Sequence, residues 1–234
     1  MTLQDLHERL LSWASAPPRE EDLLRAKREH FEAYGEPHEE DRSFELRVNG
    51  MLDAYLYDHR PARGVGTTAE RFVEAEAASL TPDELAAYRA LAQTVHGLFE
   101  VRKIKEGRVR VRDVFTGKDL DVTERRQVAG LAEDDLIEAR LLPFEGGLFF
   151  SGAFIWHPRE ARKTILAEVK RMKKGAPRGV GIDPKPFLAR LSRMALKMER
   201  YRNVRLESIY DFSPEARTWT PAPRPPGPKA GQGT

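Results

Sequence analysis

The chain has 234 residues, 40% apolar and 32% charged, with 39 Lys/Arg against 37 Asp/Glu. That length supports one substantial core or two small ones sharing a boundary, and the charge content suits a large solvated surface. There is no cysteine, which removes disulfides, thiolate metal sites and cysteine nucleophiles together.

The first segment, MTLQDLHERLLSW, lacks the basic start and apolar core of a signal peptide. Residues Thr2–Ala14 predict a short helix, with Thr2 as cap, Asp5 at N3, and Leu3, Leu6, Leu10 and Trp13 on one stripe. Pro17-Pro18 ends it. A second helix is expected over Arg19–Tyr34, with Glu20, Glu21 and Asp22 in its first turn and Leu24, Phe31 and Tyr34 on its apolar side. A charged linker, Gly35–Asp41, follows. Ser43–Asp58 reads as an amphipathic helix through Phe44, Val48, Met51, Leu52 and Tyr55. Two more helices start with matching capping boxes, Thr67 with Glu70 and Thr81 with Glu84, the second with Pro82 at N1.

Leu98–Trp156 is the only stretch that reads as β-sheet. In RVRVRD, Val109 and Val111 face one way while Arg108, Arg110 and Arg112 face the other; Ile137, Ala139 and Leu141 alternate likewise. Turn signals at Glu106-Gly107, Thr116-Gly117-Lys118 and Glu145-Gly146-Gly147 separate the runs. They divide the stretch into about five short strands, enough for a small barrel. The longest nearly apolar run, Gly146–Trp156, has eleven residues, whereas a membrane helix needs about 20. A soluble, cytoplasmic protein is expected.

After the sheet, Pro158–Lys174 predicts a helix with Ile165, Val169 and Met172 inward and a dense basic outer face. Gly175–Gly181 reads as a hinge, since it lacks the lysine and hydroxyl of a phosphate loop. A last helix, capped at Asp183 with Pro184 at N1, carries Phe187, Leu191, Met194, Met198 and Tyr201 in a seven-residue repeat, and that face is expected to dock onto the barrel or the N-terminal helices rather than form a coiled coil. The final segment, Pro221–Thr234, has five prolines and three glycines and is expected to be disordered.

The stretch VNGMLDAYLYDHRP to LPFEGGLFFSG, about Val48–Gly152, resembles a bacterial family of uncharacterised proteins. In that family a helical segment ending in an aromatic-Asp-Tyr/His-Arg sequence precedes a small barrel. The matching points are Tyr57-Asp58-His59-Arg60, Asp113, Thr116-Gly117 and Asp134-Asp135. Some members carry the zinc motif of the SecA C-terminus; the resemblance implies the architecture, and without cysteine it implies no zinc here.

The candidate catalytic groups are weak. Asp53 and Asp58 lie about 140° apart around a helix, poor for shared ligation, and capping with a pair to Arg60 or Arg63 explains Asp58 and His59 more simply. His38-Glu39-Glu40-Asp41 reads as a solvated charge run, and His157 as a boundary residue bonded to backbone. The arginine and D/N-x-S-x-x-G spacings of a cyclic-dinucleotide barrel are not met by Arg125-Arg126 or Ser151-Gly152. No catalytic residue, metal or cofactor is expected.

The charge distribution is more informative. Pro158–Leu206 holds fifteen Lys/Arg and four Asp/Glu, a net of +11, while the rest of the chain carries −9. Such a split marks a module for an anionic partner, or for the acidic half of the same chain. The residues expected to meet nucleic acid are Arg108, Arg110, Arg112, Lys170, Arg171, Lys173, Lys174, Arg178, Arg190, Arg193, Lys197 and Arg200, with Lys103 and Lys105 on the preceding strand. The fold expected is α+β: a helical segment (1–97), a small antiparallel β-barrel (98–157), a module of two basic helices (158–212) and a Pro/Gly-rich tail (213–234). The function expected is non-enzymatic binding or regulation with an anionic partner, nucleic acid being the most specific. The alternative is an adaptor that offers Phe187, Leu191, Met194, Met198 and Tyr201 to another protein, and oligomeric state stays open.

Overall fold

The computed structural model describes residues 1–61, 65–124, 130–177, 179, 181–201, 203–213 and 216. Five helices come first: α1 (Leu3–Ser15), α2 (Glu20–Tyr34), α3 (Phe44–Tyr57), α4 (Thr68–Glu76) and α5 (Pro82–Leu91). The strands are β1 (Val95–Lys105), β2 (Arg108–Asp113), β3 (Asp119–Thr123), β4 (Leu136–Phe144) and β5 (Gly147–His157). A short 3-10 turn (Arg159–Ala161) leads to α6 (Arg162–Gly175), α7 (Lys185–Arg200) and α8 (Leu206–Ile209). Capping boxes form at Thr2, Thr67 and Thr81, each satisfying otherwise unpaired first-turn amides. Pro221–Thr234 and most of 213–234 lie outside the described residues.

The sheet is mixed rather than antiparallel. Its strands close in the order β1-β2-β3-β5-β4, with β4 returning to β1, and β3 runs parallel to β5 through Val122↔Leu148 and Thr123↔Phe149. The reason is arithmetic. Directions can alternate all the way round a closed ring only if the number of strands is even, so five strands force one parallel pair. The β4–β5 hairpin turns through Glu145 (φ 48°) and Gly146 (φ 74°), the two left-handed positions of a type I′ turn.

The alternation expected in β2 is present. Val109 and Val111 are buried with Val101, Val122, Ile137 and Leu141 inside the sheet, Phe150 packs against them, and Arg108 and Arg110 are exposed. A second apolar cluster joins α1, α3, α4 and α5 to Leu142 and Phe144 of β4. A third sets α6, α7 and α8 on Leu98 and Leu136. Strand β4 is therefore covered on both faces, as a sandwiched strand is. Leu24, expected on the apolar side of α2, is instead exposed. Among the described residues no helix is long and apolar enough to cross a membrane.

The heptad face of α7 belongs to the third cluster. Phe187, Leu191 and Met194 are buried against Leu98, Leu136, Ile165 and Val169, and Met198 packs beside them. The face docks on the sheet, as the repeat leads one to expect, and this corrects the alternative in which it is offered to a partner: one side of the helix seals the chain's own core. Tyr201, 52% exposed, stands outside it.

Candidate functional site

Two arginines of α7 are used within the chain. Arg200 donates to Asp41 (3.0 and 2.6 Å) and to the Glu36 carbonyl (2.8 Å). Arg190 donates to the Asp211 carbonyl (2.7 Å) and lies over the Phe212 ring at 4.9 Å. Lys197 is half-buried, and Arg193 is exposed with its stem beside Gly35. Asp41 is thus an anchor rather than part of a solvated run. Desolvation would raise its pKa, but the bonds from Arg200 and the His38 amide hold it below the usual carboxylate range.

Two arginines of β2 are also paired. Arg110 makes two bonds to Asp121 (2.8 and 3.0 Å) and Arg112 two to Asp119 (2.7 and 3.0 Å), across the β2–β3 ladder. These bonds draw both aspartates below their ordinary pKa. On α6, Arg171 is held by Glu168 and Lys173 donates to the Val114 carbonyl (2.6 Å). Arg178 lies outside the described residues.

What remains is a narrower basic surface. Lys103, Lys105 and Arg108 at the β1–β2 turn, and Lys163, Lys170 and Lys174 on α6, are exposed and have no ion-pair partner among the described residues. Lys163, Lys170 and Lys174 stand at i, i+7 and i+11, one stripe of the helix. That stripe adjoins Arg162 and Lys173, which touch Glu100 of β1 and Val114 after β2. The lysine stripe therefore borders the outer arginine face of β1 and β2. Lys163 was missed in the sequence, although its spacing from Lys170 and Lys174 on the expected helix was a signal that could have found it.

A second cluster was not foreseen. Between α2, α3, β1 and β4, a crevice of about 40 Å³ is lined by His30, Tyr34, Arg47, Asp53, His96, Glu138 and Arg140. His96 bonds Glu138 at 3.0 Å. Arg140 pairs with Asp58, donates to Thr94 Oγ1 (2.6 Å) and covers the Tyr57 ring at 5.5 Å. Arg47 donates to Ser43, Ser192 and the Ser192 carbonyl. Asp58 therefore meets Arg140, and Lys185 at 3.4 Å, not Arg60. Burial would raise its carboxyl, but Arg140, His96 and Lys185 hold it low. Burial pushes Asp53 up against the pull of Arg140. Burial, with His96 nearby, lowers His30 to about 4.

His157 is buried too, but its Nδ1 meets the Tyr210 hydroxyl at 3.2 Å rather than backbone, and desolvation lowers its pKa to about 3. Asp113, one of the resemblance points, orders the β2–β3 turn by accepting from the Phe115 and Thr116 amides. Among the described residues no group of three or more His, Asp or Glu is arranged to hold a metal ion.

One family model matches the chain, over residues 2–180, and it is described as a family of unknown function, DUF7986. No curated protein and no solved structure matches.

Proposed function

This chain belongs to the family of unknown function DUF7986, and we propose that it is a non-enzymatic, cytoplasmic protein that binds double-stranded nucleic acid through its phosphates. The observation that carries the reading is a group of six exposed cations without ion-pair partners among the described residues, Lys103, Lys105, Arg108, Lys163, Lys170 and Lys174, beside the arginine face of β2. Phosphate contact needs such cations and releases condensed counterions when it forms. Small five-stranded barrels bind oligonucleotides on the face of their second and third strands in unrelated proteins, and here that face carries Arg108, with Arg110 and Arg112 paired to Asp121 and Asp119. Single strands are a poorer fit, because stacking needs aromatic platforms. Phe115 is half-buried against Phe187, and Trp156 is stacked on Phe154.

The finer resemblance, to a bacterial family in which some members carry a zinc motif, adds no ligand to this reading. The adaptor alternative is not favoured, since Phe187, Leu191 and Met194 are occupied in the core.

The test is fluorescence anisotropy with a short duplex across a salt series. Engagement of about five of the six cations gives a log–log slope near −4.5. Lys163→Gln/Lys170→Gln/Lys174→Gln should flatten it by about 2.7, roughly 0.9 per lost contact, with the fold intact. Absence of wild-type binding at about 50 mM salt, or an unchanged slope in the variant, would refute the proposal.

A further inference from the structure

An open groove of about 320 Å³ lies where β5 meets the start of α3 and the end of α7. Its walls are mostly apolar, from Leu46, Phe154, Ile155, Trp156, Ala195 and Met198. Leu46, Ile155, Trp156 and Met198 are only half-buried, so the chain itself leaves part of each uncovered. Ala195 keeps the space open, since its side chain ends at Cβ.

Three charged residues line the groove, Arg42, Arg47 and Glu199. Two of them are engaged with each other through Ser43. Glu199 accepts from the Ser43 amide (3.0 Å) and hydroxyl (2.6 Å), and Arg47 donates to the same hydroxyl (2.8 Å) and to Ser192 (2.8 Å). Asp41, next to Arg42 in the chain, is held by Arg200. Arg42 is exposed and has no ion-pair partner among the described residues. The groove therefore offers apolar walls and one uncompensated guanidinium.

That combination selects a guest. A guanidinium matches a carboxylate through two parallel N–H···O bonds. An ammonium would meet Arg42 as a like charge, with Glu199 already engaged. An alcohol would leave the charge of Arg42 unanswered, and a phosphate monoester would bring a second charge to a single cation. At about 30 Å³ per water-sized volume, the space holds about ten non-hydrogen atoms, the size of an eight-carbon fatty acid.

We propose that this groove binds a medium-chain carboxylic acid, its alkyl chain against Leu46, Ile155, Trp156 and Met198 and its carboxylate on Arg42. The groove shares no residue with the six cations of the basic surface, so the proposal stands or falls independently of nucleic-acid binding.

The experiment is NMR titration of the 15N-labelled full chain with octanoate. Hexanoate and butanoate shorten the chain, and octanol and octylammonium carry the same chain on other heads. Octanoate should shift the Arg42 and Ile155 amides and the Trp156 indole resonance with half-saturation below about 1 mM. Each methylene removed should weaken binding by about two- to fourfold. Octanol and octylammonium should bind about tenfold more weakly or worse, because they lose the charged bonds to Arg42. Arg42→Gln, an exposed change, should bring octanoate down to the level of octanol and leave octanol where it was. Ala195→Leu, which fills the groove from α7, should abolish both. No shift at about 5 mM octanoate overturns the proposal. So do equal binding by all three heads, indifference to chain length, or undiminished octanoate binding in Arg42→Gln. Movement of the same resonances on diluting the protein without ligand would put a second copy in the groove and overturn it too.

Discussion

His157 makes the fold sensitive to mild acid, and the size of the effect follows from its burial. Its ring is enclosed under α8 with Nδ1 on the Tyr210 hydroxyl, and its pKa is lowered to about 3 by desolvation and by Arg47. In the unfolded chain the same group titrates near 6.5. The unfolded state therefore binds an extra proton between about pH 3 and 6.5, so the stability present above that window is lost as pH falls through it. At pH 5 the loss is about 2 kcal/mol. His30, lowered to about 4, contributes the same sign and a further ~2 kcal/mol over pH 4–6.5. Together these are a large share of the 5–15 kcal/mol typical of a domain. Urea unfolding at pH 7.5 and pH 5 measures it. His157→Asn keeps a polar group near the position of Nδ1 but does not titrate, so its own packing cost is common to both pH values. The wild type should lose about 4 kcal/mol between them and the variant about 2. An equal loss in both proteins would show that His157 is not the group being protonated and would refute the argument.

Val111, fully buried in the sheet interior, should cost about 1–3 kcal/mol as Val111→Ala, measured by urea unfolding. Thr67→Ala removes the acceptor for the Glu70 amide at the start of α4 and should cost about 1 kcal/mol in the same assay. Asp119→Asn with Asp121→Asn releases Arg112 and Arg110 from their two-bond pairs. If the proposed surface binds duplex phosphates, that change should tighten binding and steepen the salt slope by up to about 2 in the anisotropy series.

The sheet was legible because the half-buried strand β2 writes its burial as alternation, and its turns need left-handed residues that Gly107 and Gly146 supply. The three threonine caps were legible for the same local reason. The parallel β3–β5 pair was not, since it follows from ring closure and no local pattern encodes it. The repeat of α7 was visible as a period, but a period does not say whether the partner is foreign or the chain's own core. Charge was the least legible property. Arg200 finds Asp41 across 159 positions and Arg140 finds Asp58 across 82, and composition alone reports neither.

Strand β4 shows why the buried charged cluster escaped the pattern. Its alternation puts Ile137, Ala139 and Leu141 inside the sheet, which assigns Glu138 and Arg140 to a face that elsewhere would be solvent. Here α2 and α3 cover that face, and α3 adds Arg47 and Asp53 from between its apolar positions. Two positions along the same strand, Leu142 and Phe144 join the helical half through apolar contacts alone, so the junction had an apolar solution within reach. Enclosing charges costs several kcal/mol per ion, and replacing a buried ionic set with well-packed apolar residues is often neutral or stabilising by about 1–4 kcal/mol. Stability therefore favours extending the Leu142–Phe144 seam through positions 138 and 140. The buried cluster forgoes that gain, and its own groups hold it together: Glu138 meets His96, and Arg140 meets Asp58 and Thr94.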